Sequence, residues 1–178
     1  MGTTTIIPEN INTNKSGLAG EFAVLSRLYK EGFDASISLN NTKGFDIFVQ
    51  NPNSKTPFLI EVKTTLQRDK YVKSKKDFWG NYQYWKVDNV LDRKEDYKGR
   101  KIFFCFVFFG SSEDKKYPDY PYIYVVPADK VIEYLLSSKD VVIENNKAKG
   151  EVMRIGNGSD KILSKQDYFN RFDLLKGE

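Results

Sequence analysis

The chain has 178 residues, of which 40% are hydrophobic and 15% aromatic, and carries a net charge of +4. This is enough apolar material for a packed domain and too much for a disordered chain. Histidine is absent and there is a single cysteine, which excludes Ser-His-Asp and Cys-His catalysis, histidine-ligated metal centres, structural zinc and an internal disulfide.

Residues 1–15 are polar and rich in Asn and Thr, the composition of a flexible arm, and 16–178 read as one domain. The opening segment has no charged stretch followed by an apolar one, so no secretory signal is expected. No polybasic cluster beside Gly2 supports a lipid anchor. No apolar run approaches the ~18 residues of a membrane-spanning helix. The expected location is the cytoplasm. Ser16 reads as the cap of a helix over 17–31, with Leu18, Phe22, Leu25 and Tyr29 as its inner face and Gly32 as its stop. Strands are expected over 33–39, 46–50 and 58–64, separated by turn-rich residues at 40–44 and 51–55. Residues 66–100 lack periodicity and read as a long insertion holding one short helix. The nearly uniform apolar run at 101–110 predicts a strand covered on both faces. A strand over 122–126 and a helix over 128–136 follow, with Val131, Ile132 and Leu135 inward. Shorter strands are expected at 141–143 and 152–155, and a last helix over 165–175, opened by Ser164, with Tyr168, Phe172 and Leu175 on one side. The order is α-β-β-β-(insertion)-β-β-α, a mixed α/β sheet with flanking helices.

With histidine and a P-loop motif both missing, carboxylates, lysine, hydroxyls and a hard cation remain for demanding chemistry. Side chains alternate along a strand, so Glu61 and Lys63 share one face and Ile60 and Val62 the other. A carboxylate facing inward needs a charge partner or a metal. Asp46 opens the preceding strand, and antiparallel pairing across the short 51–57 turn brings it near Glu61. Their oxygens and the Val62 backbone carbonyl can make half of an octahedral Mg2+ shell, with waters completing it. Such a cation polarises a phosphate and lowers the pKa of a bound water, while Lys63 positions that water or stabilises charge on the phosphorane. Glu21, one turn into the first helix on a segment patterned for burial, fits a role behind these ligands or at a second metal.

Gly20-Glu21 on an opening helix, Gly44-Phe45-Asp46 on a strand and Ile60-Glu61-Val62-Lys63 on the next resemble the PD-(D/E)xK nuclease superfamily. The motifs cover 17 to about 65, and the element order extends the likeness to about 136. Residues 122–127 resemble small bacterial members. The resemblance implies the restriction-endonuclease-like fold with an αβββ-αβ core. It also implies Asp46 and Glu61 as ligands of Mg2+ or Mn2+, Lys63 as catalytic and Glu21 as accessory. Phe45 stands where the superfamily's name has proline, a departure that touches no ligand.

Each residue also has a plainer reading. Asp46 can end a turn after Gly44, Glu61 and Lys63 can form an ion pair on a sheet face, and Glu21 can be a surface glutamate. From 61 to 101 there are 12 Lys and Arg against 7 Asp and Glu, leaving 16 against 17 elsewhere, so the basic excess lies just downstream of the carboxylates. Phosphates would reward that placement through counter-ion release, although mixed charge runs are commonly solvated surface. Thr65, on the face of Lys63, and Lys73, Lys75 and Lys76 are candidate nucleic-acid contacts. Trp79, Tyr82, Tyr84 and Trp85 either stack on bases or fill a satellite core, and the core is favoured. Cys105 reads as core packing. The expectation is a Mg2+- or Mn2+-dependent endonuclease acting on DNA. The alternatives are a nucleic-acid-binding or protein-interaction module on the same fold, or a structural partner in a larger assembly. Cutting two strands favours a homodimer.

Overall fold

The computed structural model describes residues 13–38, 44–51, 56–66, 82–87, 89–109, 121–138, 142–144, 147–149, 151–157 and 162–176. Helix α1 (Thr13–Lys30) begins ahead of the expected start, so Ser16 lies inside the helix rather than capping it. Its C-terminus is built as foreseen. Gly32 has φ +85°, its N–H donates to Tyr29 O (3.1 Å) and that of Phe33 to Leu28 O (3.0 Å). That is the Schellman pattern, which glycine allows at low cost.

The inner face of α1 is not the expected one. Val24 and Leu28 are fully buried, whereas Leu18, Phe22 and Tyr29 are exposed, Phe22 by 59%. Leu25 packs at the edge of the core. The face that meets the sheet runs Gly20, Val24, Leu28, and its first member carries no side chain to give a hydrophobic signal. Gly20 is needed there because an added Cβ would collide with Thr64 Oγ1 and lie 3.1 and 3.2 Å from Thr64 Cβ and Cγ2. Gly20→Ala is therefore expected to cost roughly 1–3 kcal/mol by overpacking, although alanine is the better helix former. Urea unfolding measures this, and adding Thr64→Ala should recover part of the loss. A neutral or stabilising Gly20→Ala would mean the helix can step back freely.

Strands β1 (Asp34–Ile37), β2 (Ile47–Gln50) and β3 (Phe58–Leu66) form an antiparallel meander. β5 (Ile102–Phe109) runs parallel to β3 on its other side, and β6 (Tyr122–Pro127) pairs antiparallel with β5. The main sheet is thus ordered β1-β2-β3-β5-β6. β5 is apolar throughout because both its faces are covered, as the sequence predicts. Phe103, Cys105 and Val107 join Ile60, Val62, Val24 and Leu28 in one core. Phe104, Phe106 and Phe108 join Trp85, Tyr124 and Val131 in the other.

The 66–100 segment holds more structure than one short helix. Besides α2 (Lys94–Tyr97) it contains β4 (Tyr82–Lys86), which pairs antiparallel with β9 (Val152–Gly156). β10 (Leu163–Ser164) adds to β9 in parallel, completing a three-stranded second sheet that the sequence did not announce. Trp85 pins this sheet to the main one. Its ring lies 5.3 Å from Phe106 and 5.6 Å from Tyr124, and its Nε1–H donates to Val107 O at 2.9 Å. The satellite-core reading thus holds for Trp85, while Tyr84 is exposed and Trp79 lies outside the described residues. β7 (Val142–Glu144) and β8 (Lys147–Lys149) form a separate hairpin. Helix α3 (Ala128–Ser137) buries Val131 and Leu135, with Ile132 partly covered, as expected.

The expected 165–175 helix is broken into α4 (Lys165–Tyr168) and α5 (Asp173–Lys176). Asn170 adopts φ +54° and its N–H bonds Ile123 O at 2.9 Å, so β6 captures the backbone that a continuous helix would have used. As a result Tyr168 packs on the second core while Phe172 and Leu175 enter the first, rather than sharing one side. Among the described residues, no helix is long and apolar enough to cross a membrane.

Candidate active site

Asp46, Glu61 and Lys63 come together at the centre of the main sheet. Ile47 pairs with Ile60, and the Asp46 N–H donates to Ile60 O at 2.9 Å. Asp46 therefore stands at the head of β2, beside the middle of β3. Its Oδ2 accepts the Val62 N–H at 2.6 Å. In an antiparallel pair the N–H and C=O of one residue point the same way, so the Val62 peptide is turned towards the strand that carries Asp46. Burial raises the Asp46 pKa and the Glu61 charge pushes it further, while the Val62 N–H, Lys63 and Arg93 oppose both. Glu21 on α1 is also raised, by burial and then by the charge of Asp46. Helix and hairpin thus bring Glu21 within reach of the Asp46 charge.

Glu61 and Lys63 share a face of β3, as alternation requires, and it is the face towards α2 and the second sheet. The Glu61 side chain is almost wholly buried, the residue being 2% exposed. Lys63 Nζ lies 2.7 Å from its Oε1. The Tyr97 hydroxyl donates to Oε2 at 3.2 Å, and the Arg93 guanidinium forms an ion pair with the same oxygen at 3.5 Å. Burial and the neighbouring Glu61 carboxylate raise the Tyr97 pKa far above the working range, so its hydroxyl remains a donor.

Arg93 and Tyr97 were not foreseen. Both come from the segment without periodicity, although their i, i+4 spacing puts them on one helical face, a signal that was available. The turn that delivers them is held from the second sheet. Buried Glu151 accepts the N–H of Val90 at 2.9 Å and of Leu91 at 3.1 Å. Arg93 also donates to Gly44 O at 3.2 Å, reaching the residue that leads into Asp46. Gly44 has φ +97°, and an added Cβ there would collide with the Arg93 guanidinium. The glycine is needed on both counts.

Thr65 lies on the Lys63 face, partly exposed, and pairs with Phe108 as Lys63 pairs with Phe106. Lys73, Lys75 and Lys76 lie outside the described residues. Among the described residues, no three carboxylate, cysteine or histidine side chains converge closely enough to hold a metal between them.

No family model matches the chain, and no curated protein matches it by sequence. Its structure is similar to that of the bacterial homing endonuclease I-Ssp6803I, over 93% of this chain and 91% of that one, with a TM-score of 0.53 and 13% sequence identity. A Holliday junction resolvase, Hjc of the archaeal hyperthermophile Archaeoglobus fulgidus, aligns with 64% of this chain and 73% of its own at 19% identity, with a TM-score of 0.38. At such identity the likeness to the homing endonuclease is one of architecture alone, a mixed sheet flanked by helices.

Proposed function

We propose that the chain is a divalent-metal-dependent endonuclease that hydrolyses phosphodiester bonds in DNA, with Asp46 and Glu61 as metal ligands and Lys63 as the catalytic lysine. The observation that carries this reading is the convergence of these three side chains from two paired strands. Asp46 is oriented by the Val62 N–H and Lys63 sits on Glu61. The donor set suits Mg2+ or Mn2+, since it offers carboxylates and the Val62 carbonyl and no sulfur or imidazole. Burial raises the pKa of both Glu21 and Asp46, and a neighbouring carboxylate adds to each, Asp46 for Glu21 and Glu61 for Asp46, a condition a bound cation relieves.

When bound, such a cation supplies positive charge to the scissile phosphate and acidifies a water. The chain's own residues do the rest. Asp46 is oriented by the Val62 N–H, and Glu61 is held by Lys63, Arg93 and Tyr97, partners with which a bound cation would share the carboxylate. Lys63 is 27% exposed on its side chain, enough to meet a phosphate and neutralise charge that builds there. Glu21 stands behind Asp46 as an accessory acid. Thr65 continues the Lys63 face and would touch the backbone of the nucleic acid. Cutting two strands would use two copies of the site and hence a homodimer.

A second reading is a DNA-binding module without turnover. It is favoured by the fact that Glu61 already has two cations on it, Lys63 and Arg93. The two readings separate in one experiment: a panel of duplex, nicked, branched and single-stranded DNA incubated with Mn2+ or with EDTA. Cleavage of any member with Mn2+ and none with EDTA is expected. Salt-sensitive binding with every substrate left intact would sink the nuclease reading and keep the module.

A further inference from the structure

The Arg93 guanidinium occupies a seat built for a cation. It faces Glu61 Oε2 at 3.5 Å and donates to Gly44 O at 3.2 Å. It also lies over the Tyr97 ring at 5.3 Å and the Phe45 ring at 6.0 Å. Two ring faces, a carbonyl and a carboxylate all favour positive charge at one point. The seat is rigid. The Arg93 N–H bonds Asn89 O and Val90 O, both at 3.2 Å. Glu151 pins the same turn through Val90 and Leu91, and the Tyr97 ring packs 5.8 Å from Phe104 on β5.

We propose that Arg93 is a resident counter-cation of Glu61. It compensates the buried carboxylate while the metal is absent, and by its charge it weakens the hold of the site on a divalent cation. This rests on the metal-site reading above and adds a role for a residue outside the motif.

The charges explain why such a residue is useful. Glu21, Asp46, Glu61 and the exposed Asp96, 3.8 Å from Arg93 Nε, carry four negative charges when ionised, against the two positive charges of Lys63 and Arg93. A divalent cation takes the cluster from two net negative charges to neutral, so that a phosphodiester meets no net repulsion. Without Arg93 the loaded cluster keeps one net negative charge. It then holds its metal more tightly and attracts DNA less. A buried carboxylate left with Lys63 alone is also undercompensated until the metal arrives.

Calorimetric titration of Mn2+ into the full chain tests this without any cleavage assay, with circular dichroism to check the fold. Arg93→Gln, which removes the charge, is expected to tighten Mn2+ binding roughly tenfold, as loss of a like charge at close range should. Arg93→Lys, which keeps the charge, should stay near the wild-type value. A folded Arg93→Gln that binds Mn2+ no more tightly than wild type overturns the inference. If Arg93→Gln unfolds without metal, Mn2+ should restore the fold by taking over the compensating charge, and failure to do so also overturns it. Absence of Mn2+ binding to the wild-type chain would instead remove the metal-site reading, and this inference with it.

Discussion

Asp46→Asn is expected to abolish DNA cleavage and, in the same protein, to stabilise the metal-free fold. The activity loss should be roughly a thousandfold, the upper end of what one preorganised electrostatic contact contributes to a transition state. Asparagine keeps an oxygen for the Val62 N–H, so the local geometry survives while the charge goes. The gain in stability follows from the direction of the Asp46 shift, upward from 3.8 and led by burial. A carboxyl whose pKa rises on folding holds its proton more tightly in the folded chain. The stability this gives is complete below the unfolded value and is lost as pH rises through the folded one. At neutral pH the wild type therefore carries the full cost of an ionised Asp46, which asparagine does not. Relief of about 1 kcal/mol is usual at a functional site, or about 2–4 °C in melting temperature for a chain of this size. The advantage of the variant should shrink as pH falls towards 4, and added Mn2+ should stabilise the wild type more than the variant. Wild-type cleavage by Asp46→Asn would remove this residue from the ligand set. A lower melting temperature at neutral pH would mean its carboxylate is better compensated than its burial implies.

Trp85→Ala should be among the most destabilising single changes in the chain, at about 3–5 kcal/mol in urea unfolding. The ring is fully buried against Phe106 and Tyr124, and its N–H satisfies Val107 O. Deletion thus opens a cavity between the two sheets and leaves a buried carbonyl unpaired, which adds its own penalty. Trp85→Phe retains most of the packing and loses only the hydrogen bond, so about 1–2 kcal/mol is expected. An alanine variant that costs under about 1 kcal/mol would mean the second sheet is not anchored through this residue.

The sequence marks some parts of this molecule more plainly than others, for physical reasons. β5 was legible because a strand covered on both faces has no polar side to hide it. Glu61 and Lys63 were legible because charge inside an apolar strand must be accounted for, and Gly32 because a helix stop favours a residue at ease with positive φ. The face of α1 was not legible: Gly20 contacts the sheet by lacking a side chain, while Leu18 and Phe22 remain outside. β4 was hidden because its partner β9 lies far along the chain and its outward tyrosines and lysine mask the alternation around Trp85. The break at Asn170 was hidden because the carbonyl that captures it belongs to β6. Arg93 escaped notice for a related reason. Its role depends on Gly44, Glu61 and Glu151, none of them a sequence neighbour.

The parallel pairing of β3 with β5 has a consequence for how the protein is made. The hairpin bearing Asp46 and Glu61 is complete once Leu66 has been synthesised, but its neighbour on the far side begins only at Ile102. At ordinary elongation rates of roughly 5–20 residues per second, several seconds separate the two. Through most of that interval Glu61 lacks Arg93 and Tyr97, to its end it lacks the β5 wall, and the Glu151 that pins their turn comes later still. The acids are written early and enclosed late, so a nascent chain carries the ligands of its proposed metal before it has a pocket to keep them dry.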